Sequence, residues 1–247
     1  MAIRAAKGRL KAAKDRLKRV FPRGAVLYLQ LKEQARRLAG RGRHLDRVFG
    51  SIHAGNLWGE PESLSGPGSS RAETAAVRTA LPGLLREIGA RTLTDAPCGD
   101  GFWITQTDLG LEHYLGVDIV PGLIARNQES LGGPGRAFAV CDLTSDPLPR
   151  ADVILCRDCW IHFSYFYVFR ALANFQRSGS TYLLATTYRG LPENRDILTG
   201  QWRPLDLELP PFSFPPPLRR LHEKDCEVDG MRLERGLGLW RLGDLPA

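Results

Sequence analysis

Asp95-Ala-Pro-Cys-Gly-Asp-Gly-Phe-Trp103 is the stretch that decides the fold. The apolar run ahead of it predicts a short strand over 92–96. Gly99 and Gly101 then let the backbone turn and approach a ligand, and Phe102 onward is expected to start a helix. A second strand-like run, Tyr114-Leu-Gly-Val-Asp118, ends in a carboxylate 19 residues after Gly99. That is close to the spacing at which an acidic residue meets ribose hydroxyls. Further strands are expected at 136–141, 151–156 and 180–187, with helices at 102–109, 121–130 and 163–176. A final antiparallel pair is expected over 220–242, turning at Asp229-Gly230. Strands alternating with helices across short joins predict an α/β fold with a doubly wound, mostly parallel, seven-stranded Rossmann-like sheet.

The 247 residues, 43% of them hydrophobic, suffice for one medium domain with an appendage. Charge divides the chain. Residues 1–47 carry 15 Lys/Arg against 3 Asp/Glu, whereas the other 200 carry 19 against 24. The body is therefore mildly acidic, which argues against a nucleic-acid groove across it. The five cysteines are odd in number and sit mostly in apolar runs, so a reducing, cytoplasmic compartment is expected. Cys156 and Cys159 form a C-x-x-C with no second pair or His at finger-like spacing, and packing is the better reading. No ligand spacing demands a metal.

Residues 1–47 are set apart as a basic helical extension and 48–247 as the body, with 48–90 a lid-like loop and helix and 91–247 the sheet core. Ile3, Leu10 and Leu17 recur every seven residues, predicting an amphipathic helix over 2–21; a second pattern runs from Ala25 to Ala39. Such a hairpin either packs on the body or docks the protein on an acidic partner or the inner face of a membrane. Trp58 to Ser70 is turn-rich and leads into a helical pattern over 72–88. Ser69 or Ser70 is a natural N-cap, and Glu73 completes a capping-box spacing. Backbone amides around Ser65, Gly68 and Ser69 could hold a carboxylate or phosphate.

Asp95, Gly99 and Gly101 resemble motif I of class I S-adenosylmethionine-dependent methyltransferases, departing from its glycine-rich consensus at Pro97 and Asp100. In the same resemblance, Asp118 with Ile119 looks like the ribose-binding position and Asp142-Leu143 like the adenine-binding position. Arg157-Asp158 falls in the segment after the fourth strand, beside the sulfonium. The runs 58–70, 97–103, 116–120, 157–159 and 200–212 resemble a bacterial subgroup associated with glycan or capsule biosynthesis. The resemblance implies S-adenosylmethionine as methyl donor and S-adenosylhomocysteine as product. It implies cofactor contacts from Asp95, Pro97, Gly99, Trp103, Asp118, Ile119, Asp142, Leu143, Arg157, Ser65, Gly68 and Ser69. A small carbohydrate would be the acceptor.

Asp158 and His162, four residues apart, are an acid/imidazole pair suited to orienter and general base for a hydroxyl. Trp202 is expected to stack on a sugar face, with Arg203 and Asp206 hydrogen-bonding its hydroxyls; Trp58, Glu60 and Glu62 would form another wall. Two rival readings are a methyltransferase of RNA or protein recruited by the basic arm, and a membrane-surface scaffold without activity.

Overall fold

A computed structural model describes residues 45–246. The two helices expected over 2–21 and 25–39 lie outside the described residues. The elements are α1 (Leu45–Ala54), α2 (Ala75–Glu87), β1 (Thr92–Asp95), β2 (His113–Asp118), α3 (Pro121–Leu131), β3 (Arg136–Val140), β4 (Val153–Cys156), α4 (Tyr165–Arg177), β5 (Tyr182–Arg189), β6 (Arg219–Val228) and β7 (Met231–Arg241). They build one seven-stranded sheet in the order β3-β2-β1-β4-β5-β7-β6. The first five strands are parallel, and β7 runs antiparallel to both β5 and β6. Asp229 and Gly230 both take positive φ at the hairpin turn, as expected. No described helix is long and apolar enough to cross a membrane.

Strand β4 shows why the sheet is covered on both faces: all four of its residues are buried. Ile154 and Cys156 point into a core shared with Val168, Leu172 and Phe175 of α4. Val153 and Leu155 point the other way, among Val77, Leu81, Leu84 and Leu85 of α2. Chain order reverses between β1 and β4, so the crevice for a ligand opens at their C-terminal ends.

Three expectations are corrected. No α-helix forms over 102–109; a single 3₁₀ turn, Ile104–Gln106, replaces it. Thr105 N donates to Gly101 O at 3.2 Å as in an α-helix, but Thr107 N turns to Ile104 O at 3.2 Å, the i→i+3 bond of a 3₁₀ turn, and the run stops there. Gly110 at φ 66° then ends the segment. Helix α2 starts at Ala75 rather than 72, with Thr74 at the N-cap and Pro67–Ser69 in a separate 3₁₀ turn. Ser70 Oγ does accept from Glu73 N at 3.4 Å, but the Glu73 carboxylate turns to Lys224 and Arg235 instead of closing a capping box. Finally, α1 begins at Leu45, which is 3% exposed, so the boundary drawn at residue 47 falls inside a helix packed on the body.

The C-terminal hairpin sends two charges under the crevice. Glu223 on β6 is fully buried at its side chain and accepts from Arg157 Nε at 2.7 Å. Its second oxygen lies 3.1 Å from Arg235 Nε, an ion pair out of hydrogen-bond alignment. Arg235 also reaches Asp158 at 2.5 Å and Glu73 at 3.4 Å. Removing one partner from such a cluster strands a buried charge. Glu223→Gln is therefore expected to lower the unfolding free energy by about 3–5 kcal/mol in chemical denaturation. Breaking the exposed Arg232–Asp225 pair should leave the midpoint unchanged.

Candidate functional site

At the end of β1, Asp95 is almost wholly withdrawn from water and accepts the Tyr114 hydroxyl at 2.8 Å. Burial pushes its carboxyl up to about 7, against the opposing hydrogen bond and the nearby Arg157 charge. The turn that follows is shaped for close approach. Gly99 takes φ 54°, and a Cβ there would lie 2.1 Å from Ser65 Oγ. Its N–H donates to Asp118 Oδ2 at 3.3 Å, while its carbonyl accepts from Asn127 Nδ2 at 2.7 Å. The other Asp118 oxygen accepts from Val120 N at 3.0 Å. Burial raises Asp118 to about 6 despite these bonds.

Asp100 latches the 58–70 segment over this turn. Its carboxylate accepts from the hydroxyl of Ser63 at 2.9 Å, from Leu64 N at 2.8 Å and from Ser65 Oγ at 3.2 Å, and its own N–H donates back to Ser65 Oγ at 2.9 Å. Farther along, Gly68 passes so near Asp158 that a Cβ would lie 2.6 Å from its Oδ2, and Gly66 packs beneath Trp58. The segment thus closes one side of a cleft whose empty space, mouth included, is about 930 Å³.

Across from it, Asp158 adopts φ 53°, a conformation rare for a residue with a side chain and usual where structure over-determines it. Thr186 Oγ1 accepts its N–H at 2.8 Å. Although burial acts the other way, Arg157 and Arg235 hold the Asp158 carboxyl below its ordinary range. His162 ends the 3₁₀ turn Trp160–His162, and burial lowers its pKa. Its Nδ1 lies 2.9 Å from the Gln201 carbonyl, which can only accept. Nδ1 therefore carries the proton and Nε2 presents a lone pair.

The cleft is lined by thirteen of the residues singled out from sequence: Asp95, Pro97, Gly99, Trp103, Asp118, Ile119, Leu143, Arg157, Asp158, His162, Ser65, Ser69 and Trp58. Gly68 borders it through Asp158. Asp142 does not line it; its Oδ1 is taken by Thr144 N at 2.9 Å and Thr144 Oγ1 at 2.7 Å. Nor does Asp158 orient His162. The two do not share a helical turn, and the Gln201 carbonyl fills that role.

Most of the expected sugar-binding wall lies elsewhere. Trp202 stands 46% exposed against the edge of Tyr188. Arg203 is buried with its guanidinium spent on the carbonyls of Arg195, Trp160 and Phe163 at 3.0, 2.8 and 3.0 Å. Together with Gly200 N on His162 O, these bonds make residues 200–203 the splint that holds His162 in place. Asp206 caps Glu208 N, Glu60 accepts from Glu62 N, and Glu62 accepts from Arg71 N. The first two are local turn contacts, and the third ties the two ends of the 62–71 loop. Sequence reasoning missed His53 and Phe49, which α1 contributes to the cleft, and Arg235 and Glu223 behind it. The HxxxH-free spacing of α1 gives no local signal for His53. Among the described residues there is no group of three or more His, Cys, Asp or Glu side chains placed to hold a metal ion.

No family model matches the chain, and no curated protein matches its sequence. Solved structures do share its fold. The Burkholderia thailandensis 1,6-didemethyltoxoflavin-N1-methyltransferase, crystallised with that molecule and S-adenosylhomocysteine, is 18% identical over 80% of this chain and 86% of its own, with a TM-score of 0.52. A magnesium protoporphyrin IX methyltransferase from Synechocystis is 12% identical, covering 77% of this chain and 94% of its own at a TM-score of 0.45. The methyltransferase domain of a bacterial CtHen1 is 14% identical at a TM-score of 0.42; the match covers 47% of this chain and 66% of that one. The likeness to the Burkholderia thailandensis enzyme, together with the mostly parallel seven-stranded sheet, shows the Rossmann-like fold of class I methyltransferases.

The raised Asp118 carboxyl gives a test of sign. A diol donates to the ionised form, which is populated only above its folded pKa of about 6. Calorimetric affinity for S-adenosylhomocysteine is therefore expected to be about tenfold weaker at about pH 5 than at about pH 7. Asp118→Asn should flatten that profile.

Proposed function

We propose that the protein is an S-adenosylmethionine-dependent methyltransferase acting on a hydroxyl or N–H of a small molecule. The residues of the cleft fit the cofactor. Asp118 offers a carboxylate suited to a diol at the end of β2, and Ile119, Val120 and Leu143 give apolar surface for a flat base. Arg157 Nη2 is buried without a hydrogen-bond partner in the same cleft, an orphan donor suited to a ligand carboxylate. Trp103 packs against the same guanidinium, 5.2 Å from its centre, and holds it in plane.

When bound, S-adenosylmethionine supplies a methyl carbon made electrophilic by its sulfonium. The acceptor lone pair forms the new bond to that carbon, the carbon–sulfur pair stays on sulfur, and the acceptor proton passes to His162 Nε2. The observation that carries this reading is the His162 imidazole, kept neutral by burial and fixed in one tautomer by Gln201, at the edge of a cleft that holds Asp95 and Asp118. Positioning does the rest: Arg203 and Gly200 immobilise the 160–163 turn, so the base needs little reorganisation. A sugar hydroxyl, which the sequence resemblance implies, loses the contacts assigned to Trp202, Arg203 and Asp206 and keeps only Trp58.

His162→Ala is expected to lower kcat by about 10²–10⁴-fold, measured as methyl transfer from S-adenosylmethionine, with affinity for S-adenosylhomocysteine nearly unchanged. Calorimetric silence of the unmodified protein toward S-adenosylhomocysteine would remove the reading altogether.

A further inference from the structure

The acceptor side of the cleft is built from rings. Phe49 and Phe163 lie 5.7 Å apart between centroids, and Trp58 and His162 lie 5.2 Å apart. All four line the same cleft, with Leu45, Leu64 and His53 beside them. Its acids are Asp95, Asp118 and Asp158, and each is already engaged: with Tyr114, with the amides of Gly99 and Val120, and with Arg235. Among the described lining residues there is no Asn, Gln or Lys. Ser65 is committed to Asp100.

Apart from Ser69 and the orphan Arg157 donor, the polar handles are two imidazoles, both protonated on Nδ1 but engaged through opposite nitrogens. Arg126 Nη2, always a donor, sits 3.1 Å from His53 Nε2, so His53 keeps its proton on Nδ1. His162 keeps its proton for Gln201 and offers Nε2 as an acceptor. His53 Nδ1–H is left to donate and His162 Nε2 to accept, beside the aromatic rings.

The geometry points to a planar aromatic or heteroaromatic acceptor bearing an ionisable hydroxyl or ring N–H, bound among Phe49, Trp58 and Phe163 and read by His53 and His162. This rests on the methyltransferase reading above. A sugar carries several hydroxyls, and each one left unpaired in such a pocket forfeits affinity. A flat ring packs among aromatic side chains at no such cost. The chemistry agrees. A phenolic proton, with pKa about 10 as in tyrosine, is far easier for an imidazole to take than that of an alkyl alcohol. That proton moves to His162 Nε2 as the acceptor atom bonds to the methyl carbon and the sulfonium becomes a thioether.

Calorimetry on the full chain loaded with S-adenosylhomocysteine tests this with umbelliferone and xanthine as planar probes and methyl glucoside as the sugar probe. At least one planar probe should bind saturably and methyl glucoside should not. Trp58→Leu should weaken the planar probe about tenfold while affinity for S-adenosylhomocysteine stays within about twofold. If Trp58→Leu disturbs S-adenosylhomocysteine binding, Phe49→Leu is read the same way. Tighter binding of the glucoside, planar binding undiminished by both substitutions, or no planar binding by a chain that holds S-adenosylhomocysteine would each overturn the inference. Failure of the unmodified chain to bind S-adenosylhomocysteine would count against the methyltransferase reading instead.

Discussion

The cleft depends on a cluster of charges withdrawn from water where β4 meets the C-terminal hairpin. Arg157 and Arg235 share Glu223 between them, Asp158 faces both guanidiniums, and Glu73 joins from the start of α2 with Lys224. Three acids thus balance three bases. Desolvating such groups is costly, and apolar packing of the same volume would commonly be as stable. What the cluster gains is placement. It ties the Asp158 side chain to Arg235, at a residue whose backbone takes positive φ. It also fixes one face of the Arg157 guanidinium while leaving Nη2 without a partner in the cleft. That donor has no protein acceptor and lies on a residue that lines the cleft.

The second constraint is the latch between the glycine turn and the segment above it. Asp100 spends both carboxylate oxygens on Ser63, Leu64 and Ser65, and Ser65 in turn occupies the space a side chain at position 99 would need. Glycine is required at 99 on two counts, positive φ and contact with Ser65 Oγ. Because Asp100 reaches the segment through its own side chain and amide, the glycine turn and the 58–70 segment are one mechanical unit.

The strand ends were legible in the sequence because their rule is local. An apolar run closing in Asp95 or Asp118 marks the C-terminal edge of a parallel sheet, whereas Leu143 and Arg157-Asp158 were reached through the resemblance to class I methyltransferases. Residues 102–109 misled because a helix was expected straight after the glycine turn, whereas Thr107 N bonds back to Ile104 O and the run closes as a 3₁₀ turn. Asp142 turns to a donor only two residues away. Trp202, Arg203 and Asp206 looked like ligand-binding residues in a Pro-rich loop, yet Arg203 works on backbone carbonyls 40 and 43 residues distant in sequence. Arg235 and Glu223 could not be found at all, since their partners depend on how a hairpin register meets β4.

The two strand-end acids carry the last step of the argument. Asp95 and Asp118 both hold their protons more tightly than the usual 3.8, at about 7 and about 6, and burial is the leading cause in each. Between those values and 3.8 the folded chain binds more protons than the unfolded one, so these two groups make stability fall as pH rises through that window. At neutral pH the fold bears the cost of keeping them there. Tyr114 and Arg157 offset part of it for Asp95, and the backbone amides of Val120, Gly99 and Ile119 part of it for Asp118. A sheet built for stability alone would end these strands in apolar or exposed residues. Two destabilised carboxylates on adjacent parallel strands, opening into the same cleft as an orphan guanidinium, are what a site that waits for a polar ligand requires.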